Sequence, residues 1–375
     1  MIRFLIVSPV IHKRSGNRYA GYTPYVREMN LWLKYVDEVR IVAPVSKQAP
    51  DALEAYYQHD KLRLTAVPFL DFRTLWTALA SAFKIPVVLY QLIAAMIWAN
   101  HIHLRCPSNM GVLGVIAQVF FPRKVKTVKY ANNWDPSSSQ SYSYRLQQNI
   151  LRNSRLTRNA TVLVYGDWHE KNPNIVPFFT ASYSRANAVD TEIREISKDA
   201  PLRLIFVGTL TSNKRPLDCV KSLQLLREKG YDASLDMFGD GDQRSVLQSY
   251  IDENQLSSYV HIWGKQSPDK VETFFKRAHF LVFLSMTEGW PKVVAEAMWW
   301  GCLPITTNVS CVSQMLGGDS RGLILEPEAA AVADAISKLV VNPQLYKKKC
   351  SEAMAWSRLY DLEHFERELI KYIRS

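Results

Sequence analysis

The feature that most constrains the fold is a series of short apolar segments alternating with helical patterns, and this series occurs twice along the chain. The apolar segments of the first series lie at residues 2–8, 39–43, 101–105, 126–130 and 161–165, and those of the second at 202–207, 233–238, 260–263, 280–284 and 303–306. Short strands that alternate with helices predict parallel sheets joined by right-handed crossovers. The polar stretch 180–201, which lacks periodicity, predicts the linker between two doubly wound α/β domains.

Length and composition agree with two globular domains. The chain has 375 residues, about two and a half times a typical domain of roughly 150 residues. Apolar residues make up 47% of the sequence, which is enough for a packed core and argues against disorder. Two open α/β sheets bind ligands at the carboxyl ends of their strands, so we expect the functional site in a central cleft that both domains face.

Positive charge is concentrated in the first half of the chain. Residues 1–180 contain 22 Lys and Arg against 10 Asp and Glu, whereas residues 181–375 contain 24 against 25. A basic surface attracts phosphates, anionic lipid headgroups or nucleic acid. No nucleic-acid-binding motif is present, so nucleic acid is not an expected partner. The alternative is a solvated surface without a partner.

The sequence predicts a cytoplasmic protein. Five scattered cysteines without paired spacing favour a reducing compartment, and the apolar run after Met1 is too short for a signal peptide. The longest apolar stretch, residues 85–99, is about 15 residues long and falls short of the ~20 that span a bilayer. We expect it to form a buried helix, with shallow insertion into a membrane face as the alternative.

The most informative segment for function runs from residue 284 to residue 301. A strand ends there, Glu288 lies on the turn, and Pro291 opens a helix at its favoured first position. The first amides of that helix, from Lys292 to Val294, form an anion site suited to a diphosphate. Glu296 lies roughly 7–8 Å farther along the helix axis, so two carboxylates flank the anion site and can accept hydrogen bonds from sugar hydroxyls. The alternative is a capping and a surface glutamate.

This Glu-x7-Glu pattern resembles that of the retaining family 4 glycosyltransferases of the GT-B fold. Other segments over about 202–340 are similar to the same family, namely 206–216 with Gly208 and Lys214, the Gly-x-Gly turn 238–241, and segments 261–264 and 301–306. The resemblance implies two Rossmann-like domains. We therefore predict an acceptor-binding domain over 1–190, a nucleotide-sugar domain over 191–355, and a helix over 356–375 that returns to the first domain.

The resemblance also implies roles for individual residues. Lys214 would neutralise the donor diphosphate, Glu288 would bind the donor sugar and Glu296 the ribose, while Trp263 and Gly264 would frame the base. We predict Glu288, Lys214 and Asn132 as the catalytic residues. The predicted donor site comprises Gly16, Thr209, Lys214, Arg215, Gly239, Trp263, Gly264, Glu288, Gly289, Trp290, Lys292, Val293, Val294 and Glu296.

The sequence departs from the family pattern at two positions. Thr209 stands where the family often has a phosphate-binding arginine, and Arg215 or Lys292 is the candidate to replace it. The segment 130–135 lacks the histidine that many members carry at this strand end, so Asn132 is expected to bind the donor sugar without acting as a base. Arg105, Trp134 and Asp135 are the candidates for contact with the acceptor.

The expected activity is retaining transfer of a hexose, with glucose as the preferred candidate, from a UDP-sugar to a glycan or lipid-linked saccharide in envelope polysaccharide synthesis. No cofactor or metal is expected, because Asp240-Gly-Asp242 lies in a turn where Asp and Gly are ordinary residues. The basic half suggests an anionic membrane surface as a further partner, hence a peripheral location on the inner face of the membrane. The alternatives are a nucleotide-sugar epimerase of the same architecture or a non-catalytic sugar-nucleotide-binding subunit.

Overall fold

The structure, a computed structural model, describes residues 1–51 and 54–373 and consists of two α/β units. The first unit contains residues 1–178 and the chain from Glu366 on, and the second contains Phe179–Phe365. The stretch predicted as a linker packs within the second unit. Arg194 donates to the carbonyl of Trp300 at 3.1 Å, and Ile196 lies in the core of this unit. The boundary between the units therefore lies before the polar stretch.

The first unit is built on a largely parallel sheet. Its strands are β1 Arg3–Val7, β2 His12–Ser15, β3 Arg18–Tyr22, β4 Glu38–Ser46, β5 Glu54–Tyr56, β6 Leu62–Val67, β7 His101–Cys106, β8 Val125–Tyr130, β9 Ala160–Tyr165 and β10 Ile175–Phe178. The order across the sheet is β10-β9-β8-β7-β1-β4-β2-β3-β5, with β6 also paired to β4. Only β3 runs antiparallel to its neighbours among these described strands.

The helices of the first unit connect these strands as crossovers. They are α1 Thr23–Leu33, α2 Leu75–Trp98, α3 Asn109–Ala117 and α4 Tyr142–Arg152, with a short 3-10 helix at Gln118–Phe120. Strands β2 and β3 form a hairpin that contains Gly16, one of the predicted donor-site residues. Gly16 lies in its turn with φ of +58°, a conformation that glycine adopts without steric cost.

Two histidines of β7 belong to the core of the first unit. His101 and His103 are buried, and each makes a hydrogen bond to the Thr127 hydroxyl, at 3.0 and 2.9 Å. Burial lowers the pKa of His101 to about 4 and that of His103 to about 3, because the charged imidazolium loses its hydration. Both are therefore neutral packing residues.

The second unit contains a parallel sheet that is covered on both faces by helices. Its strands are β11 Leu202–Val207, β12 Ala233–Phe238, β13 Val260–Gly264, β14 Phe280–Phe283, β15 Leu303–Thr306 and β16 Leu323–Ile324. Its helices are α5 Pro216–Glu228, α6 Arg244–Glu253, α7 Pro268–Phe275, α8 Lys292–Trp299, α9 Val312–Leu316, α10 Ala329–Val341, α11 Pro343–Ser357 and the start of α12 Leu362–Ile373.

The strand order of the second sheet determines where its loops meet. The order is β13-β12-β11-β14-β15-β16, and every pair is parallel. The chain moves outward from β11 to β13 and then returns to the other side of β11 with β14. The reversal between β11 and β14 is a topological switch point, where the two following loops leave a crevice for a ligand.

The C-terminal segment differs from the single helix that the sequence predicted over 356–375, because the described chain forms two helices there. The chain breaks between α11 and α12, and Asp361 lies in the break with none of its surface exposed. Its carboxylate accepts a hydrogen bond from the amide of His364 at 2.6 Å and from Arg185 at 3.0 Å. An aspartate that caps a new helix in this way favours two helices over a continuous one.

Helix α2 also differs from the prediction of a buried helix over residues 85–99. It begins ten residues earlier, at Leu75, because Thr74 and Thr77 form a capping box at its start. By length and composition, α2 is the helix among the described residues that could cross a membrane. Most of the large apolar side chains on its outer side are exposed, including Phe83 at 85%.

Candidate functional site

An ion pair at the switch point of the second sheet forms the centre of the candidate site. Lys214, in the loop after β11, donates to Oε1 of Glu288, in the loop after β14. The hydroxyl of Ser285 donates to the same oxygen at 2.5 Å. The two charged side chains are only 18% and 12% exposed. The structure therefore brings together two of the three residues that the sequence predicted as catalytic, Lys214 and Glu288, and holds the carboxylate in one orientation.

The loop that carries Glu288 is fixed by hydrogen bonds from neighbouring segments. The carbonyl of Asn213 accepts from the amide of Met286 at 2.9 Å, and the Asn213 side chain donates to the carbonyl of Thr287 at 3.3 Å. Ser310 donates to the carbonyl of Gly289 at 2.7 Å. The loop backbone is thus bonded to both adjacent connections, which preorganises the ion pair.

Helix α8 presents its first turn next to this loop. Pro291 is the N-cap and not the first helical residue, and the amide of Val294 donates to the carbonyl of Pro291 at 2.9 Å. Of the amides from Lys292 to Val294, this last one is therefore already engaged. The helix N-terminus still carries a partial positive charge that favours an anion.

Glu296 lies one turn into α8 and is half-buried. Its Oε1 accepts a hydrogen bond from the Ser182 hydroxyl at 2.6 Å. Burial raises the pKa of Glu296, while the hydrogen bond from Ser182 and the positive charge of Lys292 act in the opposite direction. A carboxylate that is partly desolvated in this way gains from ligand hydroxyls that replace lost water.

Glu296→Gln is expected to raise the midpoint of thermal unfolding at pH 7 by about 2–4 °C. Because the pKa of Glu296 is raised in the folded state, folding favours the protonated carboxyl group. Its contribution to the free energy of unfolding is therefore present below pH 4.5 and is lost as the pH rises through the folded-state pKa. Glutamine is neutral throughout, and its amide oxygen still accepts from Ser182. Thermal unfolding between pH 4 and pH 8 measures this, with exposed Glu253→Gln as the control. An equal or lower midpoint at pH 7 would contradict the prediction.

The turn after β12 requires glycine at two positions, because its backbone lies in close contact with the backbone of a neighbouring loop. Gly239 has φ of +135°, and a Cβ at this position would lie 1.8 Å from the carbonyl oxygen of Gly208. A Cβ on Gly241 would lie 2.3 Å from the carbonyl oxygen of Leu210. The two glycines therefore let the turn pack directly on the loop that leads to Lys214.

Trp263 lies at the end of β13 with 37% of its surface exposed. Its indole N–H donates to Asp236 at 2.7 Å, and its ring stacks on Phe238 with centroids 6.2 Å apart. The Nζ of Lys270 lies 4.4 Å from the ring centroid. These contacts fix the ring at the carboxyl end of the strand, and Gly264 follows it with φ of +68°.

The cations near the site differ in how they are engaged. Arg215 adopts a left-handed backbone conformation, with φ of 49°, and pairs with Asp218 at 2.7 Å. Thr209 is exposed and carries no charge. Lys292 is the first residue of α8 and is half-buried. Arg215 and Lys292 both stay candidates for the second cation.

Two of the predicted acceptor residues have structural partners in the first unit. Arg105 pairs with Glu28 at 3.1 Å. Trp134 has no exposed surface, and its indole N–H donates to Glu170 at 2.7 Å. The structure thus gives Trp134 a core position instead of the surface position that the sequence predicted, because a buried carboxylate satisfies its N–H.

The remaining predicted residues of the first unit shape the loop after β8. Asn132 accepts from the amide of Asn133 at 2.8 Å, and Asp135 accepts from the amide of Ser137 at 2.8 Å. Both side chains are half-buried and turn their oxygens toward the local backbone. The proposed contacts of Asn132 and Asp135 with a donor or an acceptor stay predictions.

No group of three or more His, Cys, Asp or Glu side chains that could hold a metal ion occurs within residues 1–51 and 54–373. Asp240, which the sequence placed in an Asp-Gly-Asp turn, accepts from the amide of Gly241 at 2.9 Å and lies 3.7 Å from Arg244. All five cysteines are buried free thiols.

Several residues of the site were not predicted from the sequence. Ser285, Asn213 and Ser182 position the two glutamates, and Asp236 orients Trp263. Ser285 lies three residues before Glu288 on the same turn, so its spacing is a usable signal. The partners Asn213 and Ser182 are 74 and 114 residues distant in sequence from the groups they bond, and no local pattern indicates them.

Comparison with known proteins identifies the class of the second unit. Residues 189–355 match the family model described as glycosyl transferases group 1. An uncharacterized glycosyltransferase of Methanocaldococcus jannaschii is 31% identical over 127 residues, which is 34% of this chain and 30% of that protein. The poly(glycerol-phosphate) alpha-glucosyltransferase of Bacillus subtilis is 21% identical over 190 residues, or 50% of this chain and 28% of that protein. The chain thus spans about 30% of the length of these relatives.

Solved structures extend the match over the whole chain. Anabaena HepE in complex with UDP has a TM-score of 0.69 at 13% identity, covering 100% of both chains. The complex of HepE with UDP-glucose has a TM-score of 0.68 at 12% identity and the same coverage. The chain has the GT-B fold, and residues 189–355 match the group 1 glycosyl transferase model. The GT-B fold that the sequence resemblance implied is confirmed.

Proposed function

We propose that the protein is a retaining, metal-independent hexosyltransferase that uses a UDP-sugar. The observation that carries this proposal is the Lys214–Glu288 pair at the switch point, with the start of α8 beside it. One cation and one helix N-terminus can stabilise a diphosphate, and Glu288 can accept hydrogen bonds from sugar hydroxyls. The group 1 match over residues 189–355 supports the same assignment of the donor site.

The proposed chemistry depends on stabilising the leaving group. As the bond between the anomeric carbon and the phosphate oxygen breaks, negative charge grows on the nucleoside diphosphate, and Lys214 and the amides of α8 would hold that charge. The acceptor hydroxyl would attack from the same face and pass its proton to the leaving phosphate oxygen. Glu288 would remain a carboxylate that orients the sugar, consistent with its bonds to Lys214 and Ser285.

We propose glucose as the transferred hexose and a glycan or lipid-linked saccharide of envelope polysaccharide synthesis as the acceptor. HepE, which shares the fold, has been solved with UDP-glucose, and the Bacillus subtilis relative is a glucosyltransferase that acts on a polymer. Both are similar to this chain and support the choice of glucose over other hexoses as the first donor to test.

A panel of nucleotide sugars tests the proposal. We expect UDP-glucose to raise the midpoint of thermal unfolding, because a ligand at 100 times its Kd stabilises the fold by about 2.7 kcal/mol. With a saccharide acceptor, NMR of the product should show that the anomeric configuration of the donor is retained, and EDTA should leave the rate unchanged.

Three outcomes would contradict the proposal in different ways. An isomerised sugar formed from UDP-sugar alone would indicate an epimerase. Donor binding without turnover, unaffected by Glu288→Gln, would indicate a non-catalytic binding subunit. A covalent glycosyl adduct trapped on Glu288 would replace the same-face step by a double displacement.

A further inference from the structure

Helix α2 carries a continuous apolar stripe on its exposed side. The stripe consists of large side chains that are spaced three or four residues apart and are between 39% and 85% exposed. They are Trp76, Leu79, Phe83, Val87, Tyr90, Ile93 and Ile97. Residues at this spacing lie on one face of a helix. From Trp76 to Ile97 the stripe extends for roughly 32 Å along the helix, far more than scattered surface hydrophobics would.

The opposite side of α2 is part of the core of the first unit. Val88, Leu92, Ala95 and Met96 are buried there with at most 1% of their surface exposed. The helix is the crossover between β6 and β7, so it lies against the sheet. The stripe is therefore available to a partner while α2 keeps its place in the fold, and the helix does not need to leave the sheet to use it.

The charges around the stripe are mostly positive, although Asp71, just before α2, pairs with Arg73 at 2.7 Å. Helix α2 contains no acidic residue and one lysine, Lys84. Between residues 72 and 166 the only acidic residue is Asp135, whereas eleven basic residues occur: Arg73, Lys84, Arg105, Arg123, Lys124, Lys126, Lys129, Arg145, Arg152, Arg155 and Arg158. This segment contributes most of the basic excess of the chain, and it is the segment that contains the stripe.

A basic groove lies near the C-terminal end of the stripe. Arg123 and Arg158, both exposed, line this groove, whereas Lys126 in its wall is buried and donates to the carbonyl of Arg158. Lys124 links it to α2, because its Nζ donates to the carbonyl oxygens of Met96 at 2.6 Å and Ile97 at 2.7 Å. The neighbouring 3-10 helix ends at Phe120, which is 75% exposed. Apolar side chains and cations that can bind phosphate therefore occur together at this end of the helix.

We propose that α2 docks on an anionic lipid bilayer, with its stripe in the acyl boundary and the basic groove on lipid phosphates. A long apolar face next to cations, without acidic residues, is the pattern of a helix that lies in the plane of the membrane interface. Each Lys or Arg near an anionic surface adds attraction, and α2 itself carries no acidic side chain that would oppose it. This inference does not depend on the donor or on the transferase reaction.

A fluorescent label tests whether the stripe enters the bilayer. The five native cysteines are buried, so Phe83→Cys provides one accessible thiol for an environment-sensitive dye, and Val341→Cys, 82% exposed in the second unit, is the control. Vesicles with 30% phosphatidylglycerol should raise and blue-shift the emission of the label at position 83 and leave that at position 341 unchanged. Equal responses at both positions would overturn the proposal.

Vesicle flotation measures the contribution of the apolar stripe. Trp76→Ser combined with Phe83→Ser should lower the partition coefficient by at least about 100-fold, since burial of each aromatic side chain favours binding by on the order of tenfold or more. The control pair is Val341→Ser with Leu359→Ser, both exposed in the second unit. Unchanged flotation of the first variant would overturn the proposal, as would a lipid-free dimer that only this variant abolishes.

The groove is tested separately with charge variants. Arg123→Gln combined with Arg158→Gln should weaken binding to anionic vesicles by about 25-fold, and Lys338→Gln with Lys347→Gln should not. Binding to purely zwitterionic vesicles should be weaker for the unmodified protein and insensitive to both pairs. Equal affinity for neutral and anionic vesicles would overturn the part of the proposal that places lipid phosphates in the groove. None of these readouts requires a sugar nucleotide, so their failure is separate from failure of the proposed function.

Discussion

Replacing Lys214 by alanine is expected to lower kcat for glycosyl transfer by two to three orders of magnitude, the usual effect of removing one group that stabilises developing negative charge. Lys214 is the cation that the structure places at the switch point, in contact with Glu288. The substitution removes the proposed stabilisation of the leaving diphosphate and also the partner that orients the carboxylate. Because both losses act in the transition state, kcat should fall more than the affinity for UDP.

Steady-state rates and calorimetric titration with UDP separate these effects. Lys214→Arg keeps the charge and should retain part of the activity, while exposed Lys338→Ala is the matched control in the same unit. A Lys214→Ala enzyme whose kcat stays within threefold of the unmodified protein would exclude Lys214 from the chemistry. A loss of activity accompanied by unfolding would be detected by the thermal midpoint, and Lys214→Arg would then decide the question.

Gly239→Ala is expected to destabilise the second unit by more than about 3 kcal/mol, because it combines a clash with backbone strain. The new Cβ would lie 1.8 Å from the carbonyl oxygen of Gly208, which belongs to the backbone and cannot rotate away. The residue would also have to adopt φ of +135°, which alanine rarely does. Relief requires the turn to move off the loop that carries Lys214.

Gly230→Ala is the matched control for this prediction. Gly230 also has a positive φ, +85°, but a Cβ there would meet nothing within 4 Å. Gly230→Ala should therefore lower the free energy of unfolding only by the cost of the positive φ, about 1–2 kcal/mol. Urea unfolding of the two variants measures the difference, and equal free energies of unfolding would contradict the close approach described for Gly239. If Gly239→Ala folds, its weaker binding of UDP would report the displaced turn.

The main strands could be predicted from the sequence because parallel strands buried on both faces appear as continuous apolar runs. Strands that lack this property were not found. β6 has the sequence LRLTAV and a mixed burial pattern, and β10 contains Pro177, which argues against a strand. β5 has three half-buried residues. Each of these is specified by pairing with a neighbour and not by its own composition.

Helix α2 illustrates a different limit of sequence analysis. Its apolar residues surround the helix, so the stretch looked like a core helix and no polar face marked its exposed side. The helix begins where Thr74 and Thr77 form hydrogen bonds with each other, and both residues lie before the apolar stretch 85–99. Which apolar face is covered is decided by the sheet beneath it, and only tertiary structure supplies that information.

The sequence predicted those residues of the candidate site that lie close together in the chain, in the loops after β11 and β14 and in the start of α8. Glu288 and Glu296 were predicted from their places on a turn after a strand and in the helix that follows, and Lys214 from the family resemblance. The same reasoning failed for Trp134, because a tryptophan in a loop can be exposed or buried and only the distant Glu170 decides which. The hydrogen bonds of Ser182 and Asn213 likewise depend on contacts made after folding.

The aromatic side chain that follows the Glu288 loop links it to the break between α11 and α12. The Trp290 ring stacks on Trp356 at 6.4 Å and lies 5.9 Å from Tyr360, and Tyr360 in turn lies 4.9 Å from Phe179. Any ligand that displaces this loop therefore changes the surroundings of two coupled indoles. If the proposed donor moves this loop on binding, tryptophan emission should record the change without any added dye.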